Sequence, residues 1–197
     1  MMILGSSAVL KQDDQFVFEI QKSSKWIRHR DGQLSIGMGC IGGGIEGSET
    51  PLEALKREVS EEIGCEVDLK SGSIPFSVIP GIEVVKFEAP DLSDGCHFVW
   101  EGDEPGFIPG GKVAVYVGCP VGDIRPDDLP AVILVDSSLF FEIGKERLTI
   151  EEVIDRGGRL IEKESIPRSA HLFPVGTAEL LFKLGSVNPK IVAELLG

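Results

Sequence analysis

The stretch that decides the fold is residues 43–65, which read GGIEGSETPLEALKREVSEEIGC. A glycine-rich segment here runs into a helix with strong boundary signals. Thr50 suits the N-cap, Pro51 suits the first helical position, and Glu53 completes a T-x-x-E capping box with Thr50. Gly64 is a natural helix terminator. The sequence therefore predicts a loop followed by a helix between Thr50 and Gly64.

The predicted helix has two stripes of opposite character. At about 100° per residue an apolar stripe can pack on a sheet, and an acidic stripe lies beside it because spacings of three and four place side chains on one face. Arg57 stands next to the acidic stripe and neutralises only part of its charge. The apolar stripe is Leu52, Leu55, Val59 and Ile63, and the acidic stripe is Glu58, Glu61 and Glu62.

The acidic stripe has two interpretations. Taken alone, E-x-x-E-E is typical of a solvated helix face. The glycine-rich loop favours a second interpretation, because small residues let backbone groups approach a phosphate or a metal closely. A hard divalent ion such as Mg²⁺ or Mn²⁺ would neutralise the crowded carboxylates, since it prefers oxygen ligands and can hold carboxylates, waters and phosphates together.

Residues 43–65 resemble the Nudix box, G-x5-E-x7-R-E-U-x-E-E-x-G-U, in which U is apolar. Cys65 is a small apolar stand-in for the usual aliphatic residue. Ile41 stands where many family members have a proline before paired glycines, which could reshape the loop but removes no ligand. The resemblance covers these residues alone, at fixed spacing. The matching positions are Gly43, Glu49, Arg57, Glu58, Val59, Glu61, Glu62, Gly64 and Cys65.

The resemblance implies an α/β fold, a Nudix-like α/β/α sandwich with a mixed β-sheet. It also implies a metal-dependent hydrolase that cleaves a phosphoanhydride bond, with Mg²⁺ or Mn²⁺ as cofactor. Glu58 and Glu62 would be the principal metal ligands, and Glu61 a further ligand or a water-activating group. Arg57 would orient the glutamates, and Gly43 could offer a backbone carbonyl. The expected catalytic residues are Glu61, Arg57 and Glu58, the expected metal ligands are Glu58, Glu61, Glu62 and Gly43, and Glu49 is expected to tie the loop to the helix.

Side chains outside the box carry weaker signals. Trp26, Arg28 and Arg30 are candidates for stacking a base or meeting a phosphate, although alternation along a strand turns half of them away from any pocket. Many family members add a carboxylate from a later loop, and several acidic residues are candidates for it. Each of these is also compatible with ordinary surface. They are Glu142, Glu146, Glu101, Asp103 and Glu104.

The box leaves the substrate open. The expected substrate is a small-molecule nucleotide, a nucleoside diphosphate derivative. ADP-ribose or another nucleoside diphosphate sugar is favoured because Pro80 follows the box at the spacing associated with ADP-ribose hydrolases, though prolines are frequent in this chain. Nucleoside triphosphates, other dinucleotides and isoprenoid diphosphates are alternatives. An alternative from another class is a non-catalytic module that senses a nucleotide or binds a protein, but such modules often lack box glutamates that are present here.

The composition narrows the classes of partner. A length of 197 residues favours one domain over residues 1–197. The net charge of -13 argues against broad nucleic-acid binding and against anionic membranes. No segment approaches the ~20 apolar residues of a membrane span, and the first residues lack a basic leader, so a cytoplasmic location is expected. The sequence leaves open whether the protein forms a homodimer. The scattered cysteines favour buried free thiols over zinc or disulfides, and they are Cys40, Cys65, Cys96 and Cys119.

Hydrophobic patterning and caps predict a set of further elements. A hairpin is expected around Asp31 and Gly32, and long loops are expected between Ser71 and Gly111. The predicted strands are 15–20, 84–88, 112–118, 131–136 and 139–143. The predicted helices run from Thr149 to about Gly157, from about Thr177 to Gly185, and from Asn188 and Pro189 to the C-terminus. Strands interleaved with a few well-capped helices point to a layered α/β or α+β domain.

Overall fold

The computed structural model describes residues 2–71, 76–79, 83–86, 95–102 and 110–196. The strands are β1 (Met2–Gln12), β2 (Gln15–Ile20), β3 (Ile27–Arg28), β4 (Leu34–Gly44), β5 (Glu66–Leu69), β6 (Phe76–Ile79), β7 (Glu83–Lys86), β8 (Phe98–Glu101), β9 (Gly111–Val121), β10 (Ala131–Val135), β11 (Arg159–Glu162) and β12 (His171–Pro174). The helices are α1 (Pro51–Ile63), α2 (Ser137–Glu146), α3 (Ile150–Asp155), α4 (Thr177–Val187) and α5 (Pro189–Leu196), and a 3-10 turn spans Ser23–Lys25.

The strands form one mixed sheet in the order β11-β10-β2-β4-β1-β9-β8-β6-β7. β3 and β12 also pair with β4, and β5 pairs with β9. The pairs β1–β9, β4–β12 and β6–β8 are parallel, and the other pairs are antiparallel. β4 is central in this order, so the glycine-rich segment at its end emerges from the middle of the sheet.

Helices cover both faces of the sheet. Alternation divides the buried side chains of β2, so that Phe16 and Phe18 join one apolar cluster and Val17 joins the other. The cluster that contains Val17 also contains the apolar stripe of α1, and the other contains residues of α2, α3, α4 and α5. The predicted α/β/α sandwich with a mixed sheet is therefore confirmed. No helix of the described part of the chain is long and apolar enough to span a membrane.

One predicted strand is wrong. Residues 139–143 lie inside α2, where Asp136 is the N-cap and accepts a hydrogen bond from the Leu139 amide at 2.8 Å. Leu139, Phe140 and Ile143 are buried at helical spacing. A short apolar run has no periodicity that separates a strand from a buried helix, so the cap after β10 decides.

Other local predictions can be compared directly with the structure. The hairpin is confirmed, since β3 pairs antiparallel with β4 and Gly32 has a φ of 88°. β1 is absent from the predicted strands, because Gly5 and the two serines that follow it dilute its apolar pattern. The strand predicted at 84–88 corresponds to β7, and the long loops expected elsewhere between Ser71 and Gly111 are wrong in part, since β6 and β8 lie there. The expectation of buried thiols is wrong for Cys119, which is exposed, and right for the other three cysteines.

Candidate active site

Helix α1 has the boundaries that its sequence predicts. Thr50 Oγ1 accepts a hydrogen bond from the Glu53 amide at 3.2 Å, and the Glu53 carboxylate accepts one from the Thr50 amide at 2.7 Å. Gly64 ends the helix with a φ of 65°. Leu55, Val59 and Ile63 are fully buried and hold α1 against the sheet. This packing presents Glu58 and Glu62 of the acidic stripe to the end of β4.

Glycines at the end of β4 let the helix approach closely. A side chain at Gly42 would overlap the Ser6 backbone, and Gly42 has a φ of 148°. A side chain at Gly43 would overlap the carboxylate of Glu58. The two glycines therefore make room for β1 on one side and for Glu58 on the other.

Arg57 joins the loop to the helix. Its guanidinium donates to the Glu49 carboxylate at 2.8 and 3.2 Å and to the Gly44 carbonyl at 2.9 Å. The Nη1 atom donates to Glu58 at 2.9 Å and to Glu61 at 3.0 Å. Glu49 also accepts from the Glu46 amide at 2.6 Å, so it closes the loop as expected. These carboxylates raise the pKa of Arg57, chiefly through the hydrogen bond to Glu49, so this residue keeps its charge.

Glu62 is the buried carboxylate of the stripe. Its side chain accepts a hydrogen bond from the Gly42 amide at 3.1 Å, and the residue is 9% exposed. Burial raises its pKa to about 8, and the neighbouring Glu19 and Glu58 add to this, while the Gly42 hydrogen bond lowers it. Proteins rarely bury a carboxylate among other carboxylates unless a cation compensates the charge.

Glu19, which lies on β2, is not among the site residues that the sequence predicts. It interrupts the apolar run of that strand, between buried Phe18 and Ile20, and this interruption was the available signal. Burial raises the pKa of Glu19, and Lys25 and Lys22 oppose that shift. The structure thus adds a carboxylate from the sheet to those of the helix.

A cleft of about 720 Å³ opens beside these residues. Its aromatic wall is Trp100 of β8, whose indole Nε1 donates to Thr177 Oγ1 at the start of α4 at 3.1 Å. Its charged groups among the described residues are Glu19 and Lys25. The described lining residues are Leu4, Gly5, Ser6, Ser7, Glu19, Gln21, Lys25, Gly39, Cys40, Gly42, Gly43, Gly44, Trp100, Val113, Val175, Gly176 and Thr177.

The structure brings some of the predicted site residues together. Glu58 and Glu62 reach the glycine segment, and Gly43 lines the cleft. Glu61 is turned outward, with 55% of its side chain exposed and its carboxylate on Arg57. A role for Glu61 at the metal stays a prediction.

The predicted substrate residues lie apart from the cleft lining in the described part of the chain. The Trp26 indole packs against the core and donates to the Gln21 carbonyl at 2.7 Å, while Arg28 is exposed on β3. Arg30 is also exposed. Substrate binding by Trp26 and Arg28 stays a prediction, and the cleft offers Trp100 and Lys25 instead.

Three of the later carboxylate candidates make ion pairs. Glu142 and Glu146 lie on α2 and both contact Arg156, at 2.9 and 3.6 Å. Glu101 contacts Lys112 at 3.0 Å. Asp103 and Glu104 lie outside the described residues. None of the three described candidates lines the cleft, so Glu19 is the better placed carboxylate.

The donor set of the site fits a hard divalent cation. Glu58 and Glu62 present carboxylate oxygens beside backbone groups of the glycine segment, which is the oxygen chemistry that Mg²⁺ and Mn²⁺ prefer. Within the described ranges no three His, Cys, Asp or Glu side chains already form a complete cage. This arrangement suits Mg²⁺, which keeps several waters and takes one or two carboxylates together with substrate phosphates.

Comparisons with known proteins give one family match and several distant structural similarities. The model of the NUDIX domain matches residues 4–99, while no curated protein matches the chain. Among solved structures, the E. coli ORF135 protein is 13% identical, over 96% of this chain and 96% of that chain, with a TM-score of 0.42. A NUDIX-family hydrolase from Clostridium perfringens is 15% identical, over 79% and 93%, with a TM-score of 0.46. An ADP-ribose pyrophosphatase from Streptococcus suis is 14% identical, over 96% and 95%, with a TM-score of 0.37. Similarities this distant carry no argument about the substrate.

Proposed function

We propose that the chain is a Nudix hydrolase that cleaves a phosphoanhydride bond in a nucleoside diphosphate derivative with the aid of bound Mg²⁺ or Mn²⁺, and the match of the NUDIX domain model to residues 4–99 supports this. One observation carries the proposal. Glu58 and Glu62 lie one turn apart on α1, and both reach the glycine segment. The absence of a side chain at Gly43 leaves room for Glu58, and the Gly42 amide donates a hydrogen bond to Glu62.

Each residue of this site has a proposed task. Glu58 and Glu62 hold the cation, and Arg57 fixes Glu58 in place while it ties the helix to the loop through Glu49 and the Gly44 carbonyl. When bound, the cation stabilises charge on the phosphates and lowers the pKa of a coordinated water. The net reaction would add water across the phosphoanhydride: a water oxygen bonds to one phosphorus atom, the bridging oxygen leaves with the other phosphate, and the proton that the water loses passes to solvent.

We propose nucleoside diphosphate sugars, with ADP-ribose first, as the substrate class. A cleft of about 720 Å³ is large enough for a ligand of this size, and it has an aromatic wall at Trp100. The spacing of Pro80 after the box supports the same class, although Pro80 lies outside the described residues. Nucleoside triphosphates, dinucleotides and isoprenoid diphosphates belong in the same substrate panel.

The test is hydrolysis of that panel by the purified protein in Mg²⁺ and in Mn²⁺, with products separated and phosphate measured. Turnover of at least one substrate is expected. The turnover rate should fall roughly a hundredfold or more in Glu58→Gln and in Glu62→Gln, since each variant removes a charged ligand of the cation. Glu66→Gln is the matched control, because Glu66 is an exposed glutamate on β5.

Two outcomes would contradict the proposal. The first is tight nucleotide binding without turnover of any member of the panel, which would make the chain a non-catalytic nucleotide-binding module. The second is full activity in both box variants, which would place the chemistry elsewhere in the molecule.

A further inference from the structure

Strand β2 determines the face of the sheet on which the Glu19 carboxylate lies. Phe18 and Ile20 on either side belong to the cluster beneath α2 to α5, so alternation turns Glu19 to the face that α1 covers. Its partner across the strand pair is Gly39, where a Cβ would lie 2.6 Å from Glu19 Oε1. The glycine leaves room for the carboxylate to lie across β4 toward α1.

Glu19 has unfavourable surroundings for a residue that serves the fold alone. It is half-buried and repels Glu58 and Glu62, and the attraction of Lys25 and Lys22 offsets only part of this. Glu19 lines the same cleft as Gly42, whose amide donates to Glu62, and as Gly43, whose missing side chain leaves room for Glu58. A glutamine at this position would avoid the repulsion, so the charge itself calls for a function.

A buried hydroxyl on the same cleft is an independent observation that points to a bound ligand. Ser6 of β1 is 1% exposed, and its Oγ has no hydrogen-bond partner among the residues that the structure describes. It lies opposite Gly43 in the β1–β4 pairing and lines the cleft together with Glu19. Buried hydroxyls are normally hydrogen-bonded, so this one is suited to a bound water or a ligand oxygen.

We propose that Glu19 is a further carboxylate of the cation site, which acts with Glu58 and Glu62 at the glycine end of the cleft, and that the Ser6 hydroxyl binds a water or phosphate oxygen beside it. The inference rests on the proposed function, because it assigns the cation of that site. Glu19 acts directly or through a coordinated water, as is usual where an ion such as Mg²⁺ retains part of its hydration shell.

The test is titration of the metal-free protein with Mn²⁺ alone. The paramagnetic signal of free Mn²⁺ measures how much of the ion stays unbound at each step. Glu19→Gln should bind Mn²⁺ about tenfold more weakly or worse, because it removes one charge from the site with little change in shape. Glu66→Gln removes a charge from an exposed strand position and should bind as the parent does. Ser6→Ala should weaken binding by a smaller factor, and circular dichroism checks that each variant is folded.

A second readout separates this role from a purely structural one. Without metal, Glu19→Gln should unfold at the same or a higher temperature than the parent, since it removes repulsion, and Mn²⁺ should raise its melting temperature less. Should Glu19→Gln misfold, Glu19→Asp, which keeps the charge and shortens its reach, must also bind Mn²⁺ more weakly.

The outcomes distinguish this inference from the proposed function. Equal Mn²⁺ affinity in Glu19→Gln and the parent overturns the inference, while loss of affinity in Glu58→Gln leaves the function standing. Affinity that depends on Glu19 in a protein without turnover supports the inference and overturns the function. A parent that binds no Mn²⁺ overturns both.

Discussion

At the scale of single residues, the site depends on the absence of a side chain at Gly43. A methyl group there would overlap the Glu58 carboxylate, whereas a Cβ at Gly44 would have only the Leu4 carbonyl nearby, at 3.9 Å. Gly43→Ala should therefore displace Glu58 and lower kcat by roughly a hundredfold, the order expected when a catalytic group is misplaced by about 1 Å. Gly44→Ala is the matched control and should retain most activity. Equal kcat values for the two variants would show that Glu58 is not held against Gly43.

Arg57 is the second residue on which the site geometry depends. Its planar guanidinium contacts Glu49, Glu58, Glu61 and the Gly44 carbonyl together, which a lysine cannot do. Arg57→Lys should keep the charge but lower kcat/KM about tenfold to a hundredfold, in the range seen when a supporting contact of a metal ligand is lost. Steady-state kinetics on the best substrate measure this, and wild-type kinetics in Arg57→Lys would mean that charge alone suffices.

At the scale of elements, two helices begin with the same capping box. Thr50 with Glu53 starts α1, and Thr149 with Glu152 starts α3, with closely similar hydrogen-bond lengths. Thr50→Ala and Thr149→Ala should each cost about 1 kcal/mol of stability, which urea unfolding can measure. Neither hydroxyl lines the cleft, so kcat should change little in Thr149→Ala. A loss near zero in both variants would mean that packing alone sets these helix starts.

An ion pair beside β11 gives the fold a defined response to acid. The Arg168 guanidinium donates to Glu162 at 2.6 and 3.0 Å and lowers the pKa of that carboxyl. When folding lowers the pKa of a carboxyl, that carboxyl stabilises the fold at any pH above its pKa in the unfolded chain. This stability is lost as the pH falls through its pKa in the folded chain. The free energy of unfolding should therefore fall less steeply below about pH 4.5 in Glu162→Gln than in the parent protein. Identical acid slopes in urea unfolding would contradict this expectation.

At the scale of the whole molecule, a divalent cation should stabilise the folded chain. A ligand that binds only the folded state at a hundredfold excess over its Kd adds about 2.7 kcal/mol. Mn²⁺ or Mg²⁺ should thus raise the melting temperature of the parent, and EDTA should reverse the rise. K⁺ at matched ionic strength is the control. The rise should disappear in Glu62→Gln, and a rise of equal size in that variant would place the ion elsewhere.

Much of the site could be predicted because its information is local. The caps of α1, its apolar stripe and the spacing of Glu58 and Glu62 lie within one continuous segment, and a regular helix converts that spacing into a shared face. Local information was insufficient at 139–143, where a strand was predicted and a helix is found, because an apolar run this short has no clear periodicity. The assignment of later carboxylates could not be made, since it depends on which elements pack beside α1.

Residues 43–65 alone determined the loop, the capped helix and the acidic stripe. All three depend on interactions between residues close together in sequence, namely capping hydrogen bonds, the steric freedom of glycine and the spacing of side chains along a helix. Only the tertiary structure decided that Glu62 is buried while Glu61 faces solvent, and that Glu19 joins them from a strand far away in sequence. Strand order and helix packing bring such residues together, and a sequence pattern read along one segment carries no information about distances across the sheet.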